Sequence, residues 1–162
     1  MSVGREPPWL QESTLRVVGW IVGSHQSAFG APLLAGVEPW QPLRLVAQEV
    51  FAADRVVLAH DGAADPRLIY ANAAALRLWG RPWREMIGLP SRLTAEPIER
   101  QGREEALAVA RRQEALAGYG GIRVDREGRR FHLKDAKLWT LRDGQGQDRG
   151  QAACFGHWWW LP

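Results

Sequence analysis

The stretch from residue 60 to residue 97, HDGAADPRLIYANAAALRLWGRPWREMIGLPSRLTAEP, constrains the chain more than any other. The β-branched run at 55–60 (RVVLAH) ends in the Asp61-Gly62 turn signal, and residues 68–71 form the next strand, entered past Asp65-Pro66. Asn72 stands where a helix N-cap belongs, followed as far as Trp79 by Ala and Leu residues that favour helix. Gly80 stops that helix, Pro82 suits the first turn of the next, and Gly88 closes it. A strand-turn-strand that feeds short capped helices predicts one wall of a small α+β module.

The rest of the chain supplies the other walls. Residues 1–11 are Pro-rich and polar and read as a loose N-terminus; residues 12–162 read as one domain, which 162 residues can stabilise without staples. Leu15, Val18 and Ile21/Val22 recur at helical spacing from Thr14 to about Phe29, with Ser13 or Thr14 as the cap. A second helix is predicted from Pro39 or Trp40 to Phe51, with Leu43, Val46, Ala47 and Val50 on one side. A long helix is predicted from Ile98 to Ala117, its apolar face formed by Leu107, Ala110 and Leu116 or Ala117.

The last third is β. Ile122 and Val124 alternate with Arg123 and Asp125, Glu127-Gly128 turns the chain, and a long strand runs from 129 to 141. Asp143-Gly144 opens a second turn before a final strand over 150–160. On the long strand Phe131, Leu133, Trp139 and Leu141 share one side by strict alternation, yet Asp135 and Lys137 share it too. Either a bulge near Asp135 shifts the register or an edge is exposed there. On the final strand alternation puts Ala153, Phe155 and Trp159 on one face and Ala152, Cys154, Trp158 and Trp160 on the other. Both faces are apolar, so both must be covered. The predicted string of two helices, two strands, three helical segments and three strands is a five-stranded antiparallel sheet, its final strand beside the first. The short helices lie on one face and the N-terminal helices on or near the other.

That element order is the order of the PAS fold, and YANAAALRLWG (70–80) resembles the PAS pattern in which an Asn ends the second strand and caps the next helix. More specifically, HDGAADPRLIYANAAALRLW, LPSRLTAEP and GRRFHLKDAKLWTLRDGQGQDRGQAACF, in that order, resemble the bacterial MEKHLA-domain proteins over roughly residues 12–161. The same PAS-like domain ends the plant class III homeodomain-leucine-zipper factors, but no homeodomain or zipper occurs here, so their DNA binding is not implied. The resemblance implies a stand-alone PAS-like domain that binds a small molecule or a protein partner.

Composition narrows the partners. A net charge of +3 from 21 basic and 18 acidic residues is spread in mixed runs such as IERQGREEALAVARRQE, which reads as a solvated surface and not a nucleic-acid tract. The apolar run at 15–23 contains Arg16 and is too short to span a bilayer, and it lacks the flanks of a secretion signal. The single Cys154 suits a reducing cytoplasm. Nine Trp residues demand a core or an interface, and a homodimer through the N-terminal helix and the outer sheet face is expected to cover that face.

Candidate chemistry is sparse. Cys154 and His157 lie three apart and so point to opposite faces of a regular strand, and His25, His60 and His132 show no chelating spacing; no metal site is assigned. Among PAS relatives, flavin photosensors carry a reactive Cys on the helical wall and haem sensors a His on the long helix. Here the only Cys is on the last strand and residues 98–117 hold no His, so both cofactors are disfavoured. Gly118, Gly120 and Gly121 lack the strand-to-helix context of a phosphate loop. Ser91, Thr94 and Glu96 lie close together with His60 or His132 in possible reach, but Ser and Thr there read as turn residues, and no catalytic residue is assigned.

The site expected is a pocket between the sheet and the helical wall, lined by Trp79, Leu89, Leu93, Phe131 and Trp139, with Arg92 and Thr94 as its polar groups. In this reading Arg92 points inward to an anionic or carbonyl group. The competing reading makes LPSRLTAEP a connector whose Arg92 pairs with Glu96 or Glu99. The function read from the chain is a non-catalytic sensory or interaction module. The alternative is a small α+β enzyme or ligand carrier of the cystatin-like type, which calls for its long helix near the N-terminus.

Overall fold

Asn72 ties the first junction of the fold together. Its side chain is fully buried, and its Oδ1 accepts from the N–H of Val57 (3.0 Å) and of Ala75 (3.1 Å). Its Nδ2 donates to the carbonyls of Arg55 (2.7 Å) and Val50 (3.1 Å). One side chain thus caps a helix, pins a strand and holds the end of the preceding helix, with every polar atom satisfied.

The computed structural model describes residues 5–38 and 40–162. The elements are α1 (Glu12–Phe29), α2 (Leu43–Ala52), β1 (Val56–His60), β2 (Leu68–Ala71), α3 (Ala73–Trp79), α4 (Trp83–Met86), α5 (Pro97–Gln113), β3 (Ala115–Val124), β4 (Arg130–Arg142), β5 (Asp148–Phe155) and β6 (His157–Trp160). All strand pairs are antiparallel, in the order β2-β1-β5-β4-β3, with β6 also paired to β4. The final strand lies beside the first, Val56 opposite Phe155. No helix among the described residues is long and apolar enough to cross a membrane.

Several boundaries differ from the sequence reading for local physical reasons. Residues 1–4 and Pro39 lie outside the described residues. Residues 8–10, read as part of a loose N-terminus, form a 3-10 turn whose Leu10 is buried, and Trp9 stacks on Phe51 at 4.0 Å. Neither Ser13 nor Thr14 caps α1; the helix starts earlier, behind Gln11, and the Thr14 hydroxyl donates instead to the Pro8 carbonyl (2.9 Å). The second helix starts at Leu43, not at Trp40. The long helix stops at Gln113, not Ala117: Glu114 takes a left-handed conformation (φ 65°), and Ala115 and Leu116 pair with Trp139 and Leu138. Strand pairing there overrides the helix preference of Ala and Leu. The longest helix is α1, so helix position does not discriminate the PAS-like reading from the cystatin-like one; strand order does.

The face conflict on β4 resolves at Asp135, which adopts φ 56°. Tyr119 pairs with Ala136 and Gly121 with Leu133, so β4 takes three steps where β3 takes two. On the other side Lys137 pairs with Cys154 and Lys134 with His157, three steps on each strand, so the pairing chain breaks in step with β4. The extra residue on β4 reverses which face the side chains beyond it occupy. Phe131 and Leu133 therefore pack on the helical side with Trp79, while Trp139 and Leu141 pack on the opposite side with Val18, Ile21 and Val22 of α1. The matching break at Gly156 divides the expected final strand into β5 and β6. It carries Trp158 and Trp160 to the Phe131 side (5.9 and 5.7 Å between ring centroids) and Trp159 to His132 (4.6 Å).

The outer face of the sheet is covered within the chain by α1. The Trp139 Nε1–H donates to the Ile21 carbonyl (3.2 Å), and Trp139 meets the buried His25 ring edge-on at 5.0 Å. The apolar area that suggested a dimer across this face is thus buried, and the large aromatics left partly exposed at the sheet are Trp158, Trp159 and Trp160.

Candidate functional site

A cavity of about 60 Å³ opens between the helical side of the sheet, β3 included, and the layer formed by α3, the Ser91–Thr94 turn and α5. Its apolar surface includes Trp79, Leu133 and Phe155. Gln151 of β5 closes one side, its Nε2 donating to the Leu107 carbonyl of α5 (2.8 Å). At roughly 10–15 Å³ per water, this space takes a handful of waters or a ligand of similar bulk.

Its polar groups come from β1, α3, the Ser91–Thr94 turn, α5 and β3. His60, at the end of β1, is buried; its Nδ1 is 2.8 Å from the Asp61 carbonyl, so Nδ1–H donates there and Nε2 faces no partner. The indole Nε1 of Trp79 is likewise buried without a partner among the described residues. The Arg103 guanidinium on α5 donates to the Ser91 hydroxyl (2.8 Å), and the Thr94 hydroxyl donates to the Ser91 carbonyl (2.7 Å). On β3 the buried Arg123 donates to the Tyr119 hydroxyl and to the Ile122 carbonyl, both at 3.0 Å. Burial and then the nearby Arg123 charge pull Arg103 down to about 10.

Of the residues expected to form the site, Trp79 and Thr94 line the cavity. Leu89 packs in the same helical-side cluster without lining it, and Phe131 sits beside Trp79 at 5.1 Å. Leu93 is exposed. Trp139 faces α1, because the step at Asp135 puts it on the other side of the sheet. Arg92 points outward and pairs with Asp65 (3.3 Å), both half-exposed; the inward orientation is wrong, and so are its expected partners Glu96 and Glu99. The arginines that line the cavity are Arg103 and Arg123. Arg123 alternates with Ile122 and Val124 and was legible as a strand residue, but its face depends on a register that local pattern does not reveal. Among the described residues no group of three or more His, Cys, Asp or Glu is placed to hold a metal.

Two buried histidines bear on stability. Desolvation lowers both His25 and His60 below the ordinary histidine value; the backbone hydrogen bonds to Ala31 and Asp61 oppose it, and nearby cations reinforce it. The His25 Nδ1 lies 2.8 Å from the Ala31 carbonyl and its Nε2 3.4 Å from the Lys137 ammonium, so the neutral ring donates at one end and accepts at the other. The unfolded chain takes up these protons first as pH falls. Their stabilising contribution is complete above about pH 6.5 and is lost as pH drops below it toward the depressed folded values. Melting temperature followed by Trp fluorescence is expected to fall between about pH 7.5 and pH 5, and His25→Asn is expected to flatten that profile. A melting temperature that stays level or rises across this window contradicts the assignment.

Comparison with known proteins agrees with this architecture. The family model for the MEKHLA domain matches residues 15–160. No curated protein matches the chain. The PAS domain of a protein from Colwellia psychrerythraea superposes with a TM-score of 0.62 at 15% identity, covering 69% of this chain and 92% of that one. A structure from a flavin-analogue study of a light-oxygen-voltage domain gives a TM-score of 0.56 at 18% identity, covering 73% and 84%. An RNA-binding light-oxygen-voltage receptor gives 0.58 at 22%, covering 77% of this chain and 35% of that one. At these identities the likeness is one of fold.

Proposed function

The chain belongs to the MEKHLA-domain family, and from that membership we propose that it is a non-catalytic sensory module whose signal is a small molecule bound between sheet and helices. The observation that carries the reading is the cavity in which two lining residues, His60 and Trp79, each keep a buried ring nitrogen without a partner among the described residues. An unpaired buried polar atom is costly, and a ligand with a donor and an acceptor offsets that cost. The size of the cavity favours a compact metabolite over a flavin or a haem.

A binding role is also supported by the hydroxyls. Ser91 is held by Arg103, and Thr94 is spent on the backbone; neither is bonded to a base among the described residues. Cys154 is buried and free, which fits a cytoplasmic setting. Native mass spectrometry of the purified full chain is expected to show a small-molecule mass that denaturation releases. If the chain purifies without one, a member of a compact-metabolite panel is expected to raise the melting temperature saturably. Ala153→Leu, which pushes bulk into the cavity wall, is expected to abolish either signal. A chain with neither a bound mass nor any saturable shift, or an Ala153→Leu variant that binds unchanged, defeats the reading.

A further inference from the structure

Arg103 and Arg123 reach the same cavity from different elements, α5 and β3, and among the described residues neither has a carboxylate within 4.0 Å. Arg44, Arg92, Arg111, Arg126, Arg129, Arg130, Arg142 and Arg149 have acidic partners; among the arginines without one, Arg103 and Arg123 are the two that line the cavity. The inward pair brings two cations to one enclosed space with no anion beside them. Burying two like charges side by side is unfavourable unless a counter-charge joins them.

The local backbone is shaped to bring these groups together. Tyr119, Gly121 and Arg123 follow one another on one face of β3. A Cβ at Gly121 would lie 2.8 Å from the Tyr119 hydroxyl and 3.0 Å from an Arg123 nitrogen. The missing side chain is what lets the hydroxyl and the guanidinium meet. The recorded bonds use Tyr119 and Ile122 for Arg123 and Ser91 for Arg103, which leaves N–H donors on both forks. The remaining wall is apolar, with Trp79, Leu133 and Phe155.

Taking the cavity as a ligand site, we propose that its ligand is a small organic carboxylate, the carboxylate held by Arg103 and Arg123 and the carbon body packed on Trp79, Leu133 and Phe155. Guanidinium forks match a carboxylate in plane and charge, and the apolar wall distinguishes an organic acid from an inorganic oxyanion. A cavity of about 60 Å³ restricts the acid to a few carbon atoms.

The test titrates the full chain with acetate, propionate, lactate and succinate, with propionamide as the neutral counterpart of propionate and inorganic phosphate as the apolar-free anion. Trp fluorescence and melting temperature are read at constant ionic strength. At least one carboxylate is expected to bind saturably, with propionamide and phosphate on the order of tenfold weaker or worse. Arg123→Gln and Arg103→Gln are each expected to weaken it by on the order of tenfold or more, the size of a lost charge-assisted hydrogen bond. Arg103 is only partly buried and sits on a helix, whereas Arg123 is buried in a strand, so the Arg103 variant keeps the test valid if Arg123→Gln does not fold. Propionamide binding as tightly as propionate, with both arginine variants unaffected, overturns the carboxylate and leaves the ligand cavity standing. Phosphate binding as tightly as the best acid overturns the organic assignment alone. No response to any acid or to the amide overturns the carboxylate; if Ala153→Leu also leaves the purified protein's bound mass unchanged, the cavity reading falls separately.

Discussion

Gly150→Ala is expected to destabilise the protein by about 4 kcal/mol or more, enough to leave it largely unfolded or insoluble. An added Cβ at this position falls 2.0 Å from the His60 carbonyl oxygen and 2.8 Å from the Asp61 carbonyl carbon. Both are backbone atoms at the end of β1, where Gln151 pairs with His60, so no side chain can swing aside. Gly150 also has φ 128°, a conformation that L residues rarely adopt. Relief requires β1 and β5 to separate at the point where His60 enters the cavity. Gly144→Ala is the control: nothing lies within 4 Å of its added carbon, and its loss is expected within about 0.5 kcal/mol. Urea unfolding of both variants, followed by Trp fluorescence, measures the difference. A Gly150→Ala protein within about 1 kcal/mol of the parent is incompatible with this close approach.

Asn72→Ala is expected to cost about 3–5 kcal/mol. Loss of the helix cap accounts for about 1 kcal/mol. The rest comes mainly from the buried groups at Val57 and Val50, which lose their partner where water cannot replace it; the Arg55 carbonyl is only partly buried. Asn72→Asp separates the two halves of this role. It keeps the acceptor for Val57 and Ala75 but turns a carboxylate toward the carbonyls of Arg55 and Val50, so it is expected to be no better than Ala. Asn72→Ser keeps a cap alone and is expected to fall between Ala and the parent. The measurement is equilibrium urea unfolding, and an Ala variant with less than about 1 kcal/mol of loss would show that the side chain is only a helix cap.

The same residue shows what was legible in the chain. Its cap, the stop at Gly80 and the turns at Asp61-Gly62 and Asp143-Gly144 depend on neighbours a few positions away, and those signals placed β1, β2 and α3. Trp79 and Thr94 were found as cavity residues because they sit in that locally determined wall. What failed was parity. Trp139 and Phe131 are eight residues apart and share a face by simple counting, but one left-handed residue at Asp135 separates them onto opposite sides of the sheet. The start of β3 was hidden in helix-forming residues that only pairing with β4 converts to strand. Arg103 looked like one more solvated charge in a mixed run, and nothing in the spacing of that run reports that α5 lies over a second arginine.

The step at Asp135 has a mechanical corollary for the two compartments. Leu138 and Trp139 are consecutive on β4, yet one borders the cavity and the other carries α1 through its bond to Ile21. A single layer of main chain is the whole partition between them. Any displacement of β4 that makes room on the one side is delivered directly to the helix resting on the other, with no relay of side chains between.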